Sequence, residues 1–355
     1  MRTDSFRGRD FITLLDWTKE EVEAILDVAT DLKRRRAQGE DHRHLLAAQT
    51  LFMIFYNDSI RTRNSFEAGM TQLGGHAHFL DPGGRMYTPA LPGDEVAYTT
   101  ERVSDVARVL ARMGEAIAIR CYGDPVKWVY GRANELIRNF AYWADIPVLN
   151  MEDDKYHPFQ ALADLLTVRE KFGGFKGVKF VMSWAYSASV HKPRAVPQSA
   201  IIGASMMGCD TVLCHPPEMD LDPEVIQACE QYAAMNGSSF EITEDFNTAF
   251  EGAHVVYPKA WAPKVFFKPP VGEDSEAKAQ EINQKYTNWI MTRELMETAD
   301  QRAIYMHCLP ADRSQEVTDE VIDKTEDDGG WRSVVFDEAE NRLHVQKAVM
   351  SLVMR

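Results

Sequence analysis

The sequence predicts an α/β fold in two domains, each a mainly parallel sheet flanked by helices, and three observations carry that reading. The chain has 355 residues, more than one hydrophobic core usually organises. Short apolar runs of strand length alternate with segments of helical periodicity along its course. After His157-Pro158 the alternation starts afresh, which places a boundary near residues 150–157. The expected domains are therefore 1–153, completed by a C-terminal helix 338–355, and 154–337.

The elements follow in order. Thr18 to Arg36 reads as the first helix, with Thr18 as N-cap, Glu21 three residues on, and Val22, Ile25, Leu26, Val28 and Leu32 at helical spacing. Leu51–Tyr56 has the apolar run of a buried strand. A polar segment follows, then a helix over Ser65–Leu73 closed by Gly74-Gly75. Glu101–Met113 is a helix and Ala116–Arg120 a second buried strand, and Asn134–Trp143 with Pro147–Asn150 repeats the order. Beyond His157, Gln160–Phe172 is helical, Lys179–Trp184 a strand and Ala200–Met207 a helix. Thr211–Cys214, Pro223–Asn236, Val255–Pro258 and Ile304–His307 continue the alternation, and Glu338–Val353 is a long helix suited to pack on the first domain. Solenoid repeats and low-complexity tracts are not visible.

Composition narrows the functional classes. With 45% hydrophobic and 26% charged residues the chain is of ordinary globular type. Its net charge of −15, from 39 Lys plus Arg against 54 Asp plus Glu, argues against a nucleic-acid or anionic-membrane binder, both of which need a basic surface. A small anionic substrate stays open, since a few local arginines suffice to hold one. Five scattered cysteines without a CxxC pair fit buried thiols in a reducing compartment rather than a disulfide framework or a zinc site. Met1 to Phe11 is polar and no apolar run is long enough for a bilayer, so a cytosolic protein without signal peptide is expected.

The segment Asn57-Asp58-Ser59-Ile60-Arg61-Thr62-Arg63 lies between a buried strand and a helix. A helix N-terminus offers unpaired N–H groups and a positive dipole end, suited to a phosphate. Ser59 and Thr62 can donate hydroxyl hydrogen bonds, and Arg61 and Arg63 can supply guanidinium forks. Spacing alone equally permits a plain cap at Ser59 with solvated arginines. Arg120 ends a strand at the carboxyl edge, where open α/β sheets place ligands.

Ser59-Ile60-Arg61-Thr62-Arg63, followed by Ser65-Phe66-Glu67 and Gln72-Leu73-Gly74-Gly75, resembles the carbamoyl-phosphate signature of the aspartate/ornithine carbamoyltransferase family. Two further family motifs occur in order, His157-Pro158-Phe159-Gln160 and His307-Cys308-Leu309-Pro310, and the resemblance covers nearly the whole chain. It implies transfer of a carbamoyl group from carbamoyl phosphate directly to an amine, with no metal and no organic cofactor. It further implies that Arg120 binds the donor, that His157 polarises the carbamoyl oxygen and Gln160 orients the carbamoyl amide, and that Cys308 and Leu309 act through backbone carbonyls. Arg313, three residues beyond Pro310, is implied as a further donor to the carbamoyl oxygen, and Asp312 beside it departs from the acylornithine branch. Ser59 to Arg63 complete the donor set. The family is trimeric with shared sites, so a homotrimer is implied, with Tyr87 of the Gly83–Gly93 loop reaching a neighbouring subunit's site.

For the acceptor, Ser183-Trp184-Ala185-Tyr186 and Lys259-Ala260-Trp261-Ala262-Pro263 resemble the acetylornithine and succinylornithine branch and a related unassigned subgroup. That branch has a knotted second domain, with a crossing similar to Lys192-Pro193-Arg194-Ala195-Val196-Pro197, so a knot is expected. Lys259 is the candidate for the acceptor carboxylate, and Glu152, Trp184, Leu309 and Thr100 complete the acceptor set. Thr100 stands where the acetylornithine enzymes have a glutamate that discriminates the acyl group. Glu316 stands where some of them have a modifiable lysine, so no such modification is expected. N-acylornithine-like acceptors are favoured; ornithine, diamines, a catabolic direction, or a non-catalytic regulator that binds carbamoyl phosphate remain alternatives. A nucleotide-binding dehydrogenase is disfavoured because GxGxxG is missing after the first strand.

Overall fold

The computed structural model describes residues 5–84, 86–268 and 271–354. Residues 1–4 of the first expected domain, Arg85 of the Gly83–Gly93 loop and Arg355 of the expected final helix lie outside the described residues. The chain packs as two compact units, Met1–Leu162 with Arg342–Arg355, and Ala163–Asn341.

The first unit begins with α1 (Lys19–Ala37), where Thr18 and Glu21 form the expected capping box. β1 (Thr50–Phe55) leads into α2 (Ile60–Leu73) and β2 (His76–Leu80), and a short pair, β3 (Thr88–Ala90) and β4 (Thr100–Arg102), precedes α3 (Val103–Leu110). β5 (Ala116–Arg120), α4 (Arg132–Trp143) and β6 (Val148–Glu152) follow, then α5 (Pro158–Phe172), which starts on a proline whose missing N–H costs nothing there. The main sheet has the order β2-β1-β5-β6 with every pairing parallel. β1 and β5 are almost wholly buried, as continuous apolar strands in a parallel sheet must be. Strand order reverses between β1 and β5, so their carboxyl ends open the crevice where such sheets take ligands.

The second unit contains β7 (Lys179–Trp184), α6 (Ala195–Met207), β8 (Asp210–Cys214), α7 (Pro223–Asn236), β9 (Phe240–Thr243) and β10 (Val255–Lys259). It continues with α8 (Glu273–Gln284), α9 (Arg293–Met296), β11 (Ile304–Tyr305), α10 (Asp319–Ile322), β12 (Arg332–Ser333) and the start of α11 (Val335–Val353). Six parallel strands run in the order β12-β11-β10-β7-β8-β9, and the reversal here falls between β7 and β10.

Several expectations need correction. α2 begins at Ile60 rather than Ser65, because Ser59 Oγ accepts the Thr62 N–H at 3.2 Å and converts the polar segment into the first helical turn. The helix expected over Glu101–Met113 is shorter, since Thr100–Arg102 pair with Thr88–Ala90 as a strand. The strand expected at Ile304–His307 ends at Tyr305. α6 starts at Ala195, so the last three residues of the Lys192–Pro197 segment are helical. The division between the compact units falls inside α5, between Leu162 and Ala163, and inside α11, between Asn341 and Arg342. The first turn of α5 stays with the first unit because the Phe159 ring packs on Phe11 and Phe66 with centroids 5.0 and 5.1 Å away. The division inside α11 follows its partners: Asn341 bonds to Thr167 and Glu170 of the second unit, Arg342 to Gln160 and Thr62 of the first.

Candidate active site

In the first unit the expected donor residues converge. Ser59 is the N-cap of α2, and Ile60, 74% exposed, leaves the helix entrance open. Arg61 is half-buried, and its side chain makes no hydrogen bond or ion pair with another described residue. Thr62 is buried, and its hydroxyl accepts from Arg342 Nη2 at 2.9 Å. Arg63 is different. Two positions round the helix from Arg61, its guanidinium lies 3.7 Å over the Phe79 ring and pairs with Glu67 at 2.9 Å, so it is turned to the outer face.

Arg120 ends β5, buried, and donates to Glu152 and, at 2.9 Å, to the Tyr122 hydroxyl. Burial alone would weaken its charge, but Glu152 and Tyr122 raise its pKa above the ordinary arginine value. Glu152 also lies 3.5 Å from His157 Nε2. It therefore sits beside the donor residues, as the counter-ion of Arg120. The next two residues brace this turn. Asp153 accepts the N–H groups of Lys155 and Tyr156 and the side-chain amides of Asn134 and Asn150, and Asp154 accepts the N–H groups of Ala133 and Asn134. Burial pushes Asp153 up to about 8, helped by the Asp154 charge, and Asp154 up to about 6.

His157 precedes Pro158, and its carbonyl accepts the Ala161 N–H as α5 starts. Its ring is buried, and desolvation, with the positive charges of Arg342, Arg120 and Arg61, holds its pKa well below the usual histidine value. A neutral imidazole results, able to donate to an oxygen without carrying charge. Gln160, one turn on, accepts from Arg342 Nη1 at 2.6 Å. Arg342 thus ties Gln160 to Thr62, 182 and 280 residues away, and joins Arg61 and Arg120 around His157. The motif reading missed Arg342. No motif surrounds it in the sequence, where it stands between Asn341 and Leu343 in the expected final helix.

The second unit holds the rest. Lys259 is the last residue of β10, not part of the following loop, and its Nζ pairs with Glu316 Oε1 at 3.0 Å. His307 Nδ1 accepts the Leu309 N–H at 2.9 Å, which leaves the ring proton on Nε2, 3.3 Å from Glu316 Oε2. Cys308 is buried, and Leu309 holds a left-handed φ of 54°.

Two expectations are corrected here. Arg313 does not point inward: its guanidinium binds Asp319 at 2.6 Å and Asp323 at 2.7 Å, and its side chain is 43% exposed. The carboxylates of α10 and its C-cap capture it. Trp184 lines no site. It is fully buried, its Nε1 donates to Trp261 O at 2.9 Å, and its ring packs edge-on against Tyr286 and Trp289. Thr100 belongs to the first unit, where its hydroxyl accepts from Val96 N at 2.7 Å and donates to Val96 O at 3.1 Å, closing a local turn. Tyr87 is 53% exposed.

All five cysteines are free and buried. Among the described residues no cluster of three or more His, Cys, Asp or Glu is placed to hold a metal ion, and no helix is long and apolar enough to cross a membrane.

Residues 9–170 match the carbamoyl-P binding domain of aspartate/ornithine carbamoyltransferases, and residues 190–353 match the Asp/Orn binding domain of the same family. The chain is 39% identical over 350 residues to the ornithine carbamoyltransferase of Pyrococcus horikoshii, covering 99% of this chain and 97% of that one. It is 35% identical over 357 residues to the N-acetylornithine carbamoyltransferase of Xanthomonas campestris, covering 98% of each. A crystal structure of an N-acetyl-L-ornithine transcarbamylase variant complexed with carbamyl phosphate and N-succinyl-L-norvaline superposes with a TM-score of 0.86 at 34% identity, over 97% of this chain and 99% of that one. The two matched domains and the 39% and 35% identities over nearly the whole chain place it in the aspartate/ornithine carbamoyltransferase family, and it is a carbamoyltransferase.

Proposed function

We propose that this chain transfers the carbamoyl group of carbamoyl phosphate to the side-chain amine of an N-acylated ornithine, releasing phosphate and a ureido product. The observation that carries the reading is the buried His157 3.5 Å from Glu152, the partner of Arg120, with Arg342 joining Gln160 of the same motif to Thr62 in the first turn of α2. A doubly charged acyl phosphate needs that kind of positive, preorganised cradle, and the α2 N-terminus adds unpaired N–H groups. Arg342, rather than Arg313, is the third arginine of the donor set in this reading. Ser59 and Thr62 supply hydroxyl and amide donors to the phosphate, and Arg120 exchanges its resting partner Glu152 for the incoming anion.

In the reaction the amine nitrogen attacks the carbamoyl carbon, and the bond from that carbon to the bridging oxygen breaks. Its electron pair leaves with phosphate, which accepts the amine proton. His157 donates to the carbonyl oxygen as negative charge develops there, and Gln160 orients the carbamoyl amide. Lys259 receives the acceptor's carboxylate. This chemistry needs neither a metal nor an organic cofactor.

A second acceptor, ornithine itself, is favoured by the 39% identity to the Pyrococcus horikoshii ornithine enzyme, whereas the fold similarity to the N-acetylornithine enzyme favours the acylated one. The protein works as a homotrimer in the cytosol, with Tyr87 exposed for a neighbouring copy and five buried free thiols in keeping with a reducing compartment. The proposed knot passes through the Lys192–Pro197 segment, whose Lys192 carbonyl accepts the Ala262 N–H at 3.1 Å.

The test is phosphate release from carbamoyl phosphate with a panel of amines: ornithine, N-acetylornithine, N-succinylornithine, putrescine, aspartate and diaminopropionate. Turnover with an N-acylornithine above all others is the expected result. The same background rate with every amine would defeat the proposal.

A further inference from the structure

The carboxylate of Glu316 is completely buried and meets four partners. Oε1 accepts from the ammonium of Lys259 at 3.0 Å and from the Ala260 N–H at 2.6 Å. Oε2 accepts from the Asp312 N–H at 2.7 Å and lies 3.3 Å from His307 Nε2. These groups come from the end of β10 and from the stretch after β11, neighbouring strands on the carboxyl side of the second unit's sheet. One carboxylate therefore ties together the two segments that carry Lys259 and the His307-Cys308-Leu309 motif. A second pair closes the cluster, with Lys192 Nζ 2.7 Å from Asp312 Oδ2 and the Ser187 hydroxyl donating to the same oxygen at 2.6 Å. The two lysines are thus balanced by two carboxylates, and His307 is neutral.

We propose that Glu316 is a positioning residue for the acceptor half of the reaction, fixing the ammonium of Lys259 where it meets the acceptor's carboxylate. This rests on the proposed role of Lys259. A lysine with four rotatable bonds has many rotamers, and a buried counter-charge confines it to one. The titratable groups that face Lys259 are Glu316, the Cys308 thiol and Asp312, and His307 in turn meets Glu316, Lys259 and Lys192. Burial opposes the lysine's charge, and Glu316 outweighs it, so the pKa of Lys259 stands above its ordinary value. Glu316 is held well below the usual carboxylate range by Lys259 and His307, against its own desolvation.

The decisive experiment measures both Michaelis constants in Glu316→Gln, which keeps the shape and loses the charge. The acceptor KM should rise about ten-fold or more, while the carbamoyl phosphate KM stays within about two-fold, since Ser59, Arg61, Thr62 and Arg120, proposed to hold its phosphate, are not among the partners of Glu316. The double variant Lys259→Met with Glu316→Gln should be no worse than Lys259→Met alone. An unchanged acceptor KM in Glu316→Gln, or an equal rise in both constants together with a lowered Tm, overturns the proposal. If Glu316→Gln does not fold, Glu316→Asp keeps the charge but withdraws it by one methylene, and a smaller split in the same direction is expected.

A readout independent of turnover is acetic anhydride labelling of Lys259, followed by peptide mass spectrometry. Labelling should be slow in the wild type and faster in either Glu316 variant, and equal labelling overturns the pairing. Wild-type protein that releases no phosphate with any amine defeats the proposed reaction instead, and the labelling contrast distinguishes that failure from this one.

Discussion

Replacing Arg342 should reduce activity with carbamoyl phosphate far more than replacing Arg313, which reverses the ranking implied by the His307–Arg313 motif region. Arg342 donates to Gln160 at 2.6 Å and to Thr62 at 2.9 Å, and its charge is one of three that depress His157. A hydrogen bond to a charged group contributes about 1.5–3 kcal/mol, so losing a single such bond to the donor anion lowers kcat/KM by roughly 10- to 150-fold. Arg342→Lys keeps the charge but not the fork that spans two partners, and should fall between wild type and Arg342→Ala. Arg313 spends its guanidinium on two exposed aspartates, and exposed pairs contribute little, so Arg313→Ala should stay within about three-fold of wild type. The assay is phosphate release at varied carbamoyl phosphate and saturating acceptor. Thermal unfolding must be followed in parallel, because Arg342→Ala deprives Gln160 and Thr62 of a buried donor, at a cost of about 1–3 kcal/mol. A ten-fold or larger loss in Arg313→Ala, with Arg342→Ala near wild type, would refute the reasoning.

Three further outcomes follow from the same geometry. Trp184→Ala should destabilise the fold by about 3–5 kcal/mol in chemical denaturation and leave the ranking of acceptors unchanged, because the indole is core; altered ranking at full stability would return it to the site. Gly74 caps α2 at φ 88°, and a Cβ there would stand 1.8 Å from the Arg43 carbonyl oxygen, so Gly74→Ala should cost at least about 1–3 kcal/mol; an unchanged denaturation midpoint would contradict the packing. His157 has a folded pKa below its unfolded 6.5, so the folded state binds fewer protons and stability falls as pH drops below that value, by up to about 1.4 kcal/mol per pH unit. Denaturation midpoints between pH 7.5 and 5.5 should therefore fall less steeply in His157→Asn than in wild type, and equal slopes would contradict the buried neutral ring.

Much of the fold was legible because parallel sheets bury both faces, so their strands read as unbroken apolar runs. Ala116–Arg120 and Lys179–Trp184 lie where the sequence alone placed them, and the capping box at Thr18 and Glu21 marked the start of α1. The edge strands β2 and β9 were not legible, since their solvated faces carry His76, His78 and Glu241 and interrupt the apolar run. α8 was missed for a related reason: Glu273–Gln284 is largely polar, and only Ser275, Ala279 and Asn283 are buried.

The donor site divides in the same way. Motifs determined its chemistry, because a phosphate cradle at a strand-to-helix turn is a local device: Ser59, Arg61 and Thr62 sit within one turn of each other. Which arginines join it is decided by long-range packing. Arg63 and Arg313 look suitable on paper, but each has carboxylates one turn or one helix away that capture it. Arg342 has no motif around it, and becomes a partner of Thr62 and Gln160 only when α11 folds back beside α2 and the start of α5 in the first unit. Local spacing specifies which groups can bind an anion and places the competing carboxylates near Arg63 and Arg313; the tertiary structure alone brings Arg342 in, because its partners Gln160 and Thr62 lie 182 and 280 residues away.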